Sequence, residues 1–158
     1  MIKQFHQQHP NERSGTVLVE FALVATLFAM FLAMIVELGH VYVVINSLNS
    51  AAKRSARYGI VEGISTAQVK TKATSILGTS LNPGNAVISV LDGSVFDSPG
   101  YDADSYDAAS LPAIEILGAE SRQLFVVRIS VDYDDVALFS PFWVKDATLT
   151  GQSVIRHE

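Results

Sequence analysis

The 158-residue sequence contains no cysteine, which excludes a disulfide framework, a thiolate zinc site and a cysteine nucleophile. Charged residues are also scarce, at 17% against about a quarter in a typical soluble protein, but the chain is too hydrophobic to be disordered. The formal net charge is −5. This acidic balance argues against a nucleic-acid partner, because binding to phosphates needs a basic face. The length fits one domain of ordinary size.

Hydrophobic residues are concentrated in one segment. Residues 16–45 contain 24 hydrophobic residues in 30 and account for the positive mean hydropathy of +0.29. No charged residue occurs from Phe21 to Val36, and extension back to Val17 gives enough length to span a hydrocarbon core of about 30 Å. We therefore predict one membrane span over about residues 17–38. The alternative is a buried helix of a soluble domain, but a domain of this size could hardly cover so many apolar residues.

Charge counting does not decide the orientation of this span. Lys3 and Arg13 precede it, and three basic residues follow it, at Lys53, Arg54 and Arg57. The positive-inside rule therefore gives no firm direction. A cleaved secretory signal fits poorly, because its apolar core has about 7–15 residues and is followed by a small-residue cleavage site.

Glu20 lies at the start of the apolar run, five residues after Gly15. A carboxylate costs about 2.5–3.5 kcal/mol at the centre of a membrane helix and less near the interface. In one interpretation Glu20 lies at headgroup level and has no role. In the other, a peptidase cuts after Gly15, which can enter a cleft in extended form because it lacks a Cβ. The new amine on Thr16 then lies one helical turn from Glu20 and supplies its counter-charge, within the subunit or from a neighbour.

The residues around this pair resemble a known family. The run GTVLVEFALV at residues 15–24 is similar to the G-x-x-x-V-E-F-A-L-V start of TadE-like proteins, the minor pilins or pseudopilins of Tad (Flp) type IV pili. Residues 35–39 (IVELG) continue the likeness, and residues 49–58 (NSAAKRSARY) approach the family's N-x-A-A-R-x-x-A-R-Y run. A weaker similarity to the family occurs at residues 149–158, whereas residues 59–122 show no resemblance.

This resemblance implies cleavage by a prepilin peptidase after Gly15, on the cytoplasmic side, followed by participation in pilus assembly. Residues 1–15 would form the leader, residues 16–58 a long helix with its first half in the membrane, and residues 59–158 an extracytoplasmic head. The implied location is the bacterial inner membrane, with one span and a cytoplasmic N-terminus, and incorporation into a pilus is a further expectation. The implied partners are the peptidase, the major pilin, other minor pilins, the inner-membrane assembly platform and the lipid bilayer.

A continuous helix is predicted from Val17 to Tyr58, because this stretch contains no proline and Gly39 is its only glycine. Its 42 residues would extend about 63 Å, twice the thickness of a bilayer core. Alanines recur every three or four residues along its apolar half, at Ala22, Ala25, Ala29 and Ala33. Such a stripe allows helices to approach closely in a membrane or a filament, although alanine is also common in apolar helices generally.

Polar residues farther along the helix are candidates for interfacial contacts. Glu37 and His40 are one turn apart and are predicted to pair at the membrane interface, since a metal site or a proton relay would need further ligands. Lys53, Arg54 and Arg57 are expected either to contact phospholipid headgroups or the acids of a neighbouring subunit, or to form a solvated helix face. No metal or cofactor is expected.

The remainder of the chain predicts an α+β head. Ser65–Gln68 resembles a capping box and opens a helix that ends at Leu77, with Gly78 as its cap. Three strands are predicted, over residues 86–91, 124–133 and 147–156. The predicted fold class is therefore α+β and pilin-like, with a long N-terminal transmembrane helix, a short helix and a small antiparallel sheet of about three strands.

Three segments of the head allow alternative interpretations. The loop at residues 92–110 has five aspartates and no basic residue, and a solvated loop is favoured over a calcium site because the EF-hand spacing does not occur. Residues 111–117 form either a short edge strand or a helical turn. Residues 139–143 (FSPFW) are expected to lie over the sheet, with contact to a partner as the alternative.

The sequence is compatible with two functions, and neither is enzymatic, because it contains no nucleophile elbow, P-loop or dinucleotide-binding fingerprint. The favoured function is a prepilin-type minor pilin or pseudopilin that is processed after Gly15 and takes part in Tad pilus assembly. The alternative is a single-span membrane-anchored protein whose outer domain binds a partner without entering a filament.

Overall fold

A computed structural model describes residues 12–101, 107 and 110–158, with side chains from residue 15 onward. The predicted leader therefore lies almost entirely outside the described residues, as do Asp102 and Asp104 of the acidic loop. The chain divides into two compact units, Met1–Glu37 and Leu38–Glu158.

The first helix, α1, runs from Glu12 to Tyr58. It begins before Val17, where the sequence predicted its start, and it ends at the predicted residue. No proline interrupts it, and the one glycine between Val17 and Tyr58, Gly39, is accommodated without a break. This helix supplies the whole described part of the first unit and also opens the second unit.

Within the second unit, one face of α1 is buried. Its buried apolar residues recur at helical spacing, at Val44, Leu48, Ala51, Ala52 and Ala56. Ser55 is buried on the same face, and its hydroxyl donates to the carbonyl oxygen of Ala51 at 2.7 Å. The buried hydroxyl of Ser55 therefore has a hydrogen-bond partner.

The second helix, α2, runs from Thr66 to Leu77 and has the predicted capping box. Gln68 N–H donates to the Ser65 hydroxyl, and Ser65 N–H donates to the Gln68 side chain at 2.8 Å. The carboxylate of Glu115 accepts from Thr66 N–H at 2.8 Å, and this bond holds the pKa of Glu115 below its usual value. The helix buries three residues on one face, at Val69, Ala73 and Leu77.

The sheet has three antiparallel strands in the order β1-β2-β3, which confirms the predicted α+β class. The strands are β1 (Ala86–Asp92), β2 (Leu124–Asp132) and β3 (Thr148–Arg156). Val127 of the central strand pairs with Val90 on one side and with Ser153 on the other. The alternate residues Phe125, Val127, Ile129 and Val131 of β2 enter the same apolar core as the buried faces of α1 and α2.

The segment 111–117 is neither of the two structures that the sequence allowed. Ala113 makes a single isolated bridge with Leu91 of β1, and no strand or helical turn extends from it. The Thr66 hydroxyl donates to the carbonyl oxygen of Ile114 at 3.0 Å, and the N–H of Ile116 donates back to the same hydroxyl at 3.0 Å. These bonds attach the segment to the start of α2, and they take the place of the hydrogen bonds that a regular strand would make.

The prediction that residues 139–143 lie over the sheet is wrong. Phe139 and Phe142 are 77% and 72% exposed. The apolar residues on either side of the loop pack against the core instead, at Val136, Ala137 and Val144. These smaller side chains fill the core at this end of the sheet, and Phe139 and Phe142 lie outside it.

Candidate functional site

The residues of the predicted processing site and charge pair lie on one exposed stretch of α1. Gly15, Thr16 and Glu20 are all helical and exposed. Thr16 and Glu20 are four residues apart, which places them one turn apart on the same side of the helix. An amine created on Thr16 would therefore lie within reach of the Glu20 carboxylate.

Apolar side chains surround the helix axis along this stretch. Leu18, Phe21 and Leu27 are 68–70% exposed, although they project in different directions from the axis. A helix that is apolar on all sides needs an apolar environment, which lipid or other helices can provide. Residues Gly15–Tyr58 are also long and apolar enough, by length and composition, to cross a membrane as a single anchor.

The alanine stripe lies on one side of the same helix. Ala22, Ala29 and Ala33 are exposed, whereas Ala25 is partly covered. Near the stripe, the Thr26 hydroxyl donates to the carbonyl oxygen of Ala22 at 2.8 Å, so this polar group is satisfied within its own helix. The stripe therefore presents a narrow surface without large side chains, on which another helix can pack closely.

His40 is half-buried against an aromatic residue that the sequence did not place near it. Its Nδ1 atom lies 3.3 Å from the Tyr133 hydroxyl, and the two ring centroids are 5.8 Å apart. Tyr133 follows β2 directly and is itself buried. The pairing of Glu37 with His40 stays a prediction, whereas the contact of His40 with Tyr133 joins α1 to the end of β2.

The second half of α1 packs against β3 at Gly151, so closely that any residue other than glycine would clash at this position. A Cβ built on Gly151 would lie 2.5 Å from the backbone nitrogen of Asn49 and 2.7 Å from the Cβ of Leu48. Beside this contact, the Asn49 side-chain oxygen accepts from the N–H of Gln152 at 3.2 Å. The buried alanines Ala51 and Ala52 follow on the next turn. Small residues on both elements thus allow the helix to pack directly on the strand.

The basic residues of α1 lie on its outward side. Lys53, Arg54 and Arg57 are all exposed. Arg54 also lines a shallow cleft of about 340 Å³ between α1 and the end of α2, together with Asn46 and Ser50. This arrangement is compatible with each of the roles that the sequence left open, and it places all three cations where a partner can reach them.

In the acidic loop, Asp97 pairs with a basic residue that is distant in sequence. Its carboxylate binds the Arg156 guanidinium through two bonds, at 2.7 and 2.9 Å, and this bonding holds the pKa of Asp97 below its usual value. Over the described parts of the chain, no three histidine or carboxylate side chains converge on a position that could hold a metal ion.

Comparison with known protein families gives a match that falls on α1. Residues 15–57 match the family model of TadE-like proteins. The match confirms the resemblance to TadE-like proteins over these residues. No curated protein and no solved structure matches the chain.

The TadE-like segment, residues 15–57, has two parts with different surroundings. Its first part carries Gly15, Glu20 and the exposed apolar residues, and its last part carries the asparagine and alanines that pack on β3. The run at residues 49–58 therefore has a structural explanation within this chain. On the strand side of this contact lies Gly151, where a Cβ would meet the backbone of α1.

Sequence reasoning missed three residues of this arrangement. Asn49 was part of the quoted family-like run, yet no pattern identified Gln152 as its partner. Gly151 lies inside the predicted strand 147–156, and a glycine inside a strand is a usual signal for close backbone approach. Tyr133 ends a predicted strand, but nothing in the sequence connects it with His40.

Proposed function

We propose that this protein is a prepilin-type minor pilin or pseudopilin, processed after Gly15, that takes part in Tad pilus assembly. The observation that carries the proposal is the position of Gly15 and Glu20 at the start of the TadE-like segment, in the first part of α1, where apolar side chains are exposed on all sides. Such a helix is suited to move from lipid into a bundle of similar helices. The role is structural rather than catalytic.

Processing would begin with local opening of α1. The bond between Gly15 and Thr16 lies within the helix, whereas a protease binds its substrate in extended form. Glycine is about 1 kcal/mol less favourable than alanine in a helix interior, so Gly15 lowers the cost of opening this turn. The cut removes the leader and leaves a protonated amine on Thr16.

The new amine then determines how the helix behaves in the membrane. In the precursor, the Glu20 carboxylate has exposed apolar neighbours such as Val19 and Phe21. After the cut, the Thr16 amine can form an ion pair with Glu20 of the same subunit or of the next one. The pair in trans also fixes the axial position of one helix against another, since only one offset brings the two charges together.

The rest of the chain would be arranged around this helix. The alanine stripe provides a surface for close packing against the major pilin or another minor pilin. The α+β head is extracytoplasmic, the N-terminus is cytoplasmic, and the inner-membrane assembly platform receives the processed subunit. Lys53, Arg54 and Arg57, all exposed on α1, are available to acidic groups of a neighbouring subunit or to phospholipid headgroups.

Deletion followed by complementation tests this function against the alternative of a membrane-anchored binding protein. We expect deletion to remove most surface pili, as counted by electron microscopy, and expression of the full chain to restore them. The major pilin should still be inserted into the membrane at its usual level, because the deletion affects only the assembly of pili. Normal piliation in the deletion strain would contradict the proposal and favour the anchored binder.

A further inference from the structure

A cluster of exposed apolar side chains in the head takes no part in the proposed function. It comprises the aromatic loop, residues 138–143, which connects the 3-10 helix Tyr133–Asp135 to β3. Leu138 is 67% exposed, and Phe139 and Phe142 are more exposed still. The rings of Phe142 and Trp143 pack edge to face, with centroids 4.9 Å apart. An exposed apolar cluster of this kind marks a surface that another phase or molecule covers.

The aromatic loop is held in place at both ends. Ala137 N–H donates to the carbonyl oxygen of Tyr133 at 2.9 Å, immediately before the loop. After the loop, Tyr133 N–H donates to the carbonyl oxygen of Ala147 at 2.8 Å, and Asp146 N–H donates to the Asp134 carboxylate at 2.8 Å. The loop is therefore fixed to Tyr133 from both sides.

Tyr133 in turn locates the loop along α1. Its hydroxyl is 3.3 Å from Nδ1 of His40, at the start of the second unit. His40 follows the last residue of the uncharged apolar run, Val36, by four residues, a rise of only about 6 Å along the helix. Exposed apolar residues flank His40 in sequence, at Leu38, Tyr42 and Val43. The contact of Tyr133 with His40 therefore attaches the loop to a part of α1 that is close in sequence to the end of the predicted span.

We propose that the aromatic loop inserts into the headgroup region of the bilayer that α1 crosses. Tryptophan and other aromatic side chains favour this region, where their apolar rings and polar edges are both accommodated. The exposed Lys145 next to the loop can reach lipid phosphates. The inference rests on the membrane span alone and not on processing or pilus assembly. It assigns the head a second membrane contact, which restricts its orientation before assembly and must be released when the subunit leaves the membrane.

Trp143 is the only tryptophan of the chain and therefore reports on the aromatic loop directly. The full chain is reconstituted in phosphatidylcholine vesicles, with lipids brominated either near the headgroup or deep in the acyl chains. We expect strong quenching of Trp143 fluorescence by the shallow bromines and weaker quenching by the deep ones. The emission maximum should lie to the blue of that of a solvent-exposed tryptophan.

A double variant and a matched control complete the test. The double variant Phe139→Ser, Phe142→Ser keeps the Trp143 fluorophore but removes two apolar side chains that would enter the bilayer. It should lower the ratio of membrane-inserted to free loop by roughly tenfold or more, with a matching loss of quenching by the shallow bromines. Val87→Ser changes another strongly exposed apolar residue, which lies on β1 and is 65% exposed, and should leave the quenching unchanged. Emission typical of water and no quenching by either lipid would overturn the proposal. Emission that shifts with the protein-to-lipid ratio, without lipid quenching, would also overturn it and indicate a second copy as the occupant.

Discussion

A Glu20→Ala protein is expected to insert into the membrane at wild-type levels and to lose most surface pili. Removal of the carboxylate makes insertion easier, because no charge then enters the apolar region. It also removes the partner of the Thr16 amine. A hydrogen-bonded charge pair contributes about 1.5–3 kcal/mol, so each affected contact should weaken by roughly tenfold to a hundredfold. Pili are counted by electron microscopy, and membrane levels are measured by immunoblot.

Two control variants separate charge pairing from other effects of this substitution. Glu20→Gln keeps the size of the side chain and should fail in assembly like the alanine variant. Glu62→Ala removes a carboxylate from the exposed turn after α1 and should leave piliation unchanged. Normal piliation with Glu20→Ala would contradict the charge-pair account. Failure with alanine but not with glutamine would assign Glu20 a role through size or polarity instead of charge.

A Gly151→Ala protein is expected to have the least stable head of any alanine variant at a glycine. The added Cβ meets the backbone of α1 at Leu48 and Asn49, and backbone atoms cannot rotate away as a side chain can. Overpacking of a core costs about 1–3 kcal/mol, and the upper end applies here, so the unfolding temperature should fall by about 12–20 °C. Near-UV circular dichroism of the full chain in detergent follows this transition.

Gly39→Ala provides the matched control for that stability measurement. A Cβ on Gly39 has no neighbour within 4 Å, and its position on α1 is compatible with alanine. We expect the unfolding temperature of the head to stay the same or to rise slightly, because alanine favours a helix. Equal unfolding temperatures for Gly151→Ala and the unchanged protein would contradict the direct packing of α1 on β3.

Local sequence patterns predicted the elements of this fold well. The lack of proline between Val17 and Tyr58 was sufficient for one long helix, and the Ser65–Gln68 capping box marked the start of α2. Alternation in residues 124–133 identified the central strand. Each of these signals depends only on residues that are close in sequence, so a single sequence is enough to recognise it.

Contacts between distant residues could not be predicted in the same way. The aromatic residues of the 138–143 loop were expected in the core because aromatic side chains usually contribute to it. Whether a particular loop reaches the core depends on which residues already fill that space, here Val136, Ala137 and Val144. The bond from Gln152 to Asn49 and the contact of His40 with Tyr133 likewise depend on tertiary packing, for which the sequence has no periodic signal.

The identity of the mature N-terminus tests the central claim most directly. Intact-mass and N-terminal peptide measurements on the membrane-extracted protein should show a chain that begins at Thr16, with residues 1–15 removed. A Gly15→Leu variant, whose added side chain should block the cut, gives the unprocessed reference. A native protein that retains its leader in cells with an active prepilin peptidase would contradict the account.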